Sequence, residues 1–242
     1  MRLLSRFKLP VPTPSARKTW QASQQYELEH AIGFMDAPAF RELHLEFRSG
    51  KRNLSAGYRD ALVLKEWFAG STAEFDSFVE HLKGSTCLEI GPCVASQLTG
   101  WDVTSERHVV EPLLEPIEAW QRANLGGSLY EGFVRHAVPG EKLIDSLVGQ
   151  VGGAVLCRNM LDHTPKWPFV LANISAYAAP GCKLLLWTDL DHRGDADEGH
   201  YDITPHPEDF KRLVAQLGFR VIREYSDTDR HELNWGCFAE RL

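Results

Sequence analysis

From residue 86 onward the chain alternates short apolar runs with stretches of helical periodicity, and that rhythm admits few architectures. The apolar runs are 86–91, 108–111, 129–135, 153–158, 182–188, 219–224 and 235–240. Helical patterns lie between them near 93–100, 114–124, 140–150, 166–178 and 206–217. Strands separated by helices cannot pair as hairpins, so they lie parallel, with the helices covering both faces of the sheet. Only the last two runs are joined by a short turn-like stretch, 226–231, which forces an antiparallel final strand. The expected fold is α/β: a Rossmann-like, seven-stranded, mostly parallel sheet with an antiparallel last strand.

The segment before residue 84 has a different texture. Leu62, Phe68, Phe75, Phe78 and Leu82 recur at helical spacing, while Gly50, Asn53 and Gly57 mark a loop between helices. The expected organisation is a helical N-terminal segment over 1–83 and the sheet domain over 84–242. Pro10, Pro12 and Pro14 make the first residues read as an extended linker, and Arg2, Arg6 and Lys8 give it a basic character suited at most to weak surface tethering.

Composition removes several classes of function. A formal charge of −7 opposes non-specific contact with a phosphate backbone, so no nucleic-acid partner is expected. No run has the ~18 apolar residues of a membrane span, so no stable membrane insertion is expected. The five cysteines, Cys87, Cys93, Cys157, Cys182 and Cys237, form no CxxC pair and sit mostly in apolar runs, which points to reduced thiols and a cytoplasmic location. No metal site is expected either: the acids and histidines of 189–201 do not follow calcium-loop spacing.

Two motifs carry the chemistry. The first run ends in Glu89-Ile90-Gly91-Pro92-Cys93-Val94-Ala95, a glycine-containing turn from strand into helix that brings backbone N–H groups close to a ligand. The second ends in Glu111-Pro112, about twenty residues beyond that turn, where a carboxylate can accept hydrogen bonds from both hydroxyls of a ribose. Later come Asn159-Met160-Leu161-Asp162-His163 after the fourth run, and Pro180-Gly181 before the fifth.

In this order and at these intervals the pieces resemble class I S-adenosylmethionine (SAM)-dependent methyltransferases, over roughly residues 84–242. Cys93 and Ala95 depart from the pattern, standing where the family often has further glycines. The resemblance implies SAM as cofactor, with Glu89, Gly91, Cys93, Glu111, Pro112 and Asn159 around it and His136 and Ala137 beside the adenine ring. It places Asp162, His163 and His200 on the acceptor side as catalytic candidates. A histidine there suits removal of a hydroxyl proton, because its ordinary pKa of ~6.5 lies near working pH. Gly194 and Gly199 would let the loop after the fifth strand move as a lid.

The expected activity is methyl transfer to a small or medium acceptor at oxygen. The run from Trp20 through Gln24 and Glu27 resembles cap segments of methyltransferases in saccharide biosynthesis, which ranks sugar-like acceptors first. The alternative is a non-catalytic methyltransferase-like protein that binds SAM or a protein partner. A nicotinamide-dependent oxidoreductase fits poorly, since Gly91-Pro92-Cys93-Val94-Ala95-Ser96 supplies only the first glycine of G-x-G-x-x-G.

Overall fold

The structure, a computed structural model, describes residues 20–191, 200, 201, 203, 206–229 and 232–242. Among the described residues four α-helices precede the sheet: α1 (Trp20–Asp36), α2 (Pro38–Arg48), α3 (Ala61–Glu66) and α4 (Thr72–Leu82). Their starts follow from local chemistry. Pro38 opens α2, where its missing N–H costs nothing. The Asp60 side chain accepts from the Leu62 and Val63 N–H groups to cap α3, and Ser71 accepts from Glu74 N–H to cap α4.

The sheet then forms from β1 (Thr86–Ile90), β2 (Glu106–Val110), β3 (Val134–His136), β4 (Ala154–Arg158), β5 (Lys183–Asp191), β6 (Phe219–Asp229) and β7 (Glu232–Arg241). Helices α5 (Leu114–Leu125), α6 (Trp167–Tyr177) and α7 (Pro207–Gln216) fall between them. The strand order is β3-β2-β1-β4-β5-β7-β6, with β7 antiparallel to both its neighbours and the other pairings parallel. This is the expected Rossmann-like sheet with its antiparallel last strand.

Both faces of the sheet are buried, and the two-residue period of a strand sorts each run between two cores. Leu88, Ile90, Val155, Cys157, Leu184 and Leu186 face one core with residues of α6 and α7. Cys87, Val109, Ala154, Leu156 and Leu185 face the other, where Phe40, Trp67, Phe75 and Phe78 of the N-terminal half meet Ile117 of α5. All five cysteines are free thiols, and four of them are buried.

Three expectations need correction. Residues 93–100 contain only a short 3-10 turn, Gln97–Gly100, because the Glu89 carboxylate takes the Gln97 N–H and the Ser96 hydroxyl. Residues 140–150 hold only the 3-10 turn Asp145–Leu147, since the Tyr177 hydroxyl accepts the Ile144 N–H and Gly149 adopts φ +68°. The third strand begins at Val134 rather than near 129: Ser128 and Glu131 side chains bind the Tyr130 and Ser128 N–H groups and fold that stretch into a turn. Its apolar residues Leu129, Tyr130 and Phe133 serve packing rather than pairing. The basic first residues, Gly194, Gly199 and the acids between them lie outside the described residues. Among the described residues no helix is long and apolar enough to cross a membrane.

Candidate functional site

The carboxyl ends of β1, β2 and β4 open onto one cavity of about 80 Å3 that is partly continuous with solvent. Such a crevice, where the strand order reverses between β1 and β4, is the usual ligand position of an open α/β sheet. Gly91 and Cys93 from the turn after β1, Glu111, Pro112 and Leu113 after β2, and Asn159, Met160, His163 and Thr164 after β4 all line it. Gly140 adds to this wall, and Gln24 and Glu27 of α1 close it from the other side.

The turn after β1 is held rigidly. Gly91 has φ +72°, and Cys93 has φ +54°, the left-handed region that favours glycine. Cys93 thus takes a backbone conformation that glycine would adopt without strain, yet carries a side chain, whose thiol burial and the Glu111 charge push up in pKa. The Tyr130 hydroxyl donates to the Cys93 carbonyl at 2.5 Å, and the Gln121 amide donates to the Val94 carbonyl at 2.7 Å. Met160 lies across the bend, so that a Cβ on Gly91 would run into its side chain and one on Gly140 would stand 2.7 Å from its Cε.

Glu111 is buried, and its carboxylate oxygens accept the Cys93 N–H at 3.1 Å and the Leu113 N–H at 2.9 Å. Burial raises its pKa, and these two hydrogen bonds oppose the rise. A carboxylate has about four lone-pair sites, so two remain for a ligand. The Gln24 side-chain oxygen is buried on the same cavity and has no hydrogen-bond partner among the described residues. Among its described lining residues the cavity carries two carboxylates, Glu27 and Glu111, and no lysine or arginine.

Other expected site residues fall elsewhere. Glu89 does not line the cavity. It braces the β1 turn from behind, buried against Ser96 Oγ at 2.5 Å and Gln97 N at 2.8 Å, and desolvation pushes its pKa up to about 7. His136 is turned onto His108, the rings stacked at 5.5 Å with Nε2 3.2 Å from the His108 Nδ1. Its pKa is lowered by burial and by that neighbour. Neither His136 nor the exposed Ala137 lines the cavity. Asn159 does, with φ +48°, its N–H bonded to the Trp187 carbonyl.

The three acceptor-side candidates converge. Asp162 is fully buried in the 3-10 turn Leu161–His163, and its Oδ2 stands 3.8 Å from both His163 Nε2 and His200 Nε2. The two imidazoles meet edge to face at 4.4 Å. Backbone bonds from Tyr201 N–H to the Asp162 carbonyl (2.7 Å) and from Ile203 N–H to the Leu190 carbonyl (2.8 Å) pin the segment that carries His200. Glu27 carries no catalytic-motif signal in the sequence, yet its Oε1 lies 3.1 Å from His163 Nδ1. Leu113 and Gly140 line the cavity without any motif signal in the sequence.

No protein-family model and no curated protein matches this chain. Solved structures do. The N-methyltransferase NodS from Bradyrhizobium japonicum WM9, crystallised with S-adenosyl-L-homocysteine, is similar at 12% identity, over 91% of this chain and 99% of its own, with a TM-score of 0.54. The [4+2]-cyclase SpnF is similar at 12% identity, over 95% of this chain and 98% of its own, with a TM-score of 0.55. At such identities the likeness defines the fold: the chain has the Rossmann-like fold of the class I methyltransferases, a fold that also serves a cyclase.

Proposed function

We propose that the protein is a methyltransferase that binds SAM in the cavity at Glu111 and methylates a hydroxyl of a small or medium acceptor, sugar-like acceptors first. One observation carries this reading: Gly91 and Cys93 of the first motif and Glu111 of the second line a single cavity. The residues suit the cofactor. Glu111 retains acceptor capacity for ribose hydroxyls, and Gln24 offers a buried oxygen in need of a donor. Two carboxylates with no cationic side chain favour a sulfonium over the pyrophosphate of a dinucleotide. When bound, SAM supplies an electrophilic methyl group.

The chain's own work is binding and alignment, which dominate a direct displacement. Glu111, Cys93 and Pro112 position the adenosine half, and Asn159 and Gly91 flank the path to the acceptor. Asp162, His163 and His200 stand on the acceptor side, where the hydroxyl proton leaves. Residues 1–83 act as a cap that selects the acceptor, and 84–242 as the cofactor-binding unit. The net charge of −7 favours a small neutral or cationic acceptor over nucleic acid.

A methyltransferase-like protein without turnover is the second reading. It is favoured by Met160, whose side chain lies over Gly91 and Gly140 and narrows the cavity floor. Calorimetry with SAM and S-adenosylhomocysteine on the wild type and on Glu111→Ala separates the two. Losing both ribose contacts should weaken binding by about 1.5–3 kcal/mol, or ~10- to 150-fold. Binding without turnover on any acceptor supports the second reading, and no binding of either ligand defeats the first.

A further inference from the structure

We propose that Asp162, His163 and His200 form a binding site for one divalent first-row transition ion of the Zn2+ or Co2+ type. One donor atom from each of the three lies within 4.8 Å of the other two. The 3.8 Å from Asp162 Oδ2 to each imidazole Nε2 is too long for a hydrogen bond. It is close to what a shared ion imposes, because two ligands ~2.1 Å from one ion at tetrahedral angles stand ~3.4 Å apart. A contraction of a few tenths of an ångström brings both Asp162–imidazole separations to that value, and the two imidazole donors, within 4.8 Å of each other, would close further around the ion.

The surroundings have the form that metal-bound histidines usually have. A carboxylate only accepts hydrogen bonds, so the Glu27 contact takes the proton of Nδ1 and turns Nε2 toward Asp162. A carboxylate behind a ligating imidazole fixes its tautomer and raises its basicity. Thr188 Oγ1 donates to Asp162 Oδ1 at 3.4 Å, while Oδ2 faces the rings. Two imidazole nitrogens and one carboxylate oxygen suit Zn2+ or Co2+ better than Mg2+ or Ca2+, which prefer all-oxygen shells. Three protein ligands among the described residues would leave coordination positions for further ligands.

His163 also lines the cavity, so the ion would adjoin the acceptor. Its role there, as a Lewis acid for an acceptor oxygen, rests on the methyltransferase reading. Binding of the ion does not.

The test is calorimetric titration of ZnCl2 into the full chain after EDTA treatment and dialysis, with CoCl2 absorption spectra alongside. One Zn2+ per chain is expected, at least tenfold weaker in His200→Ala and in Asp162→Asn, and unchanged in His30→Ala, an exposed histidine outside the cluster. Circular dichroism checks folding. Should the buried Asp162→Asn fail to fold, the half-buried His200→Ala decides alone. No stoichiometric Zn2+, full affinity in His200→Ala, or Mg2+ binding as tight as Zn2+ would overturn the assignment. Zn2+ binding without SAM or S-adenosylhomocysteine binding keeps the ion site and removes the methyltransferase reading. The converse result does the reverse.

Discussion

Glu27 of α1 holds His163 of the turn after β4: its Oε1 lies 3.1 Å from the imidazole Nδ1, although the two residues are 136 positions apart in the chain. The contact joins the first helix to the Leu161–His163 turn and fixes which imidazole nitrogen faces Asp162.

Glu27→Gln keeps the shape of that contact and removes its charge. Loss of such an outer partner commonly costs 10- to 100-fold in metal affinity or activity. Activity is therefore expected to fall about tenfold or more in kcat, with a melting temperature close to wild type. Steady-state kinetics and a thermal melt check both, and an unchanged kcat would remove Glu27 from the site.

Cys93 at φ +54° carries a strain that glycine would not. A β-branched residue suffers more than cysteine in this region. Cys93→Gly is expected to be more stable than Cys93→Val by roughly 1–2 kcal/mol. Denaturant unfolding of the two variants measures the difference, and the reverse order would show that burial of the side chain outweighs backbone strain.

Gly91 combines φ +72° with the Met160 side chain packed against it. Gly91→Ala is expected to lose roughly 2 kcal/mol from strain and overlap together. Adding Met160→Ala should return the overlap part and leave the strain, so the two substitutions couple by more than ~0.5 kcal/mol in a double-mutant cycle. Additive losses would show that the methionine simply moves aside.

Glu89 sets a pH dependence. Burial raises its pKa from the ordinary 4.5 to about 7. Between those values the folded protein keeps a proton that the unfolded chain has released. This contribution to stability is thus full below pH ~4.5 and lost as pH rises toward ~7, with a ceiling of roughly 3 kcal/mol. Glu89→Gln is expected to flatten the melting temperature between pH 5 and 7, and a slope equal to wild type would count against it.

The strands were legible because both faces of this sheet are buried, so runs such as 153–158 and 182–188 are apolar along nearly their whole length. The run at 129–135 shows the limit of that signal. Leu129, Tyr130 and Phe133 are as apolar as a strand, yet the Ser128 and Glu131 side chains claim the N–H groups that pairing would need. The helix expected at 93–100 failed for a similar reason, a buried Glu89 reaching forward to Gln97. At the site, Gly91 and Glu111 could be found because strand ends and turns are local features. Glu27 could not be paired with His163, since nothing in its own neighbourhood says which distant residue it will meet. His136 looked free to face a ligand until the adjacent strand supplied His108 to stack on it.

Helix α1 furnishes Gln24 and Glu27 to the cavity while its far end packs on α5, where Gln121 reaches the Met35 sulfur at 3.5 Å. A ligand that grips Glu27 and Glu111 together therefore rivets the first helix to the strand tips. Its residence time would then depend on how often that helix lifts, and occupancy would be written in slowed amide exchange along residues 20–36. The start of the chain would report on chemistry that takes place at the ends of the strands.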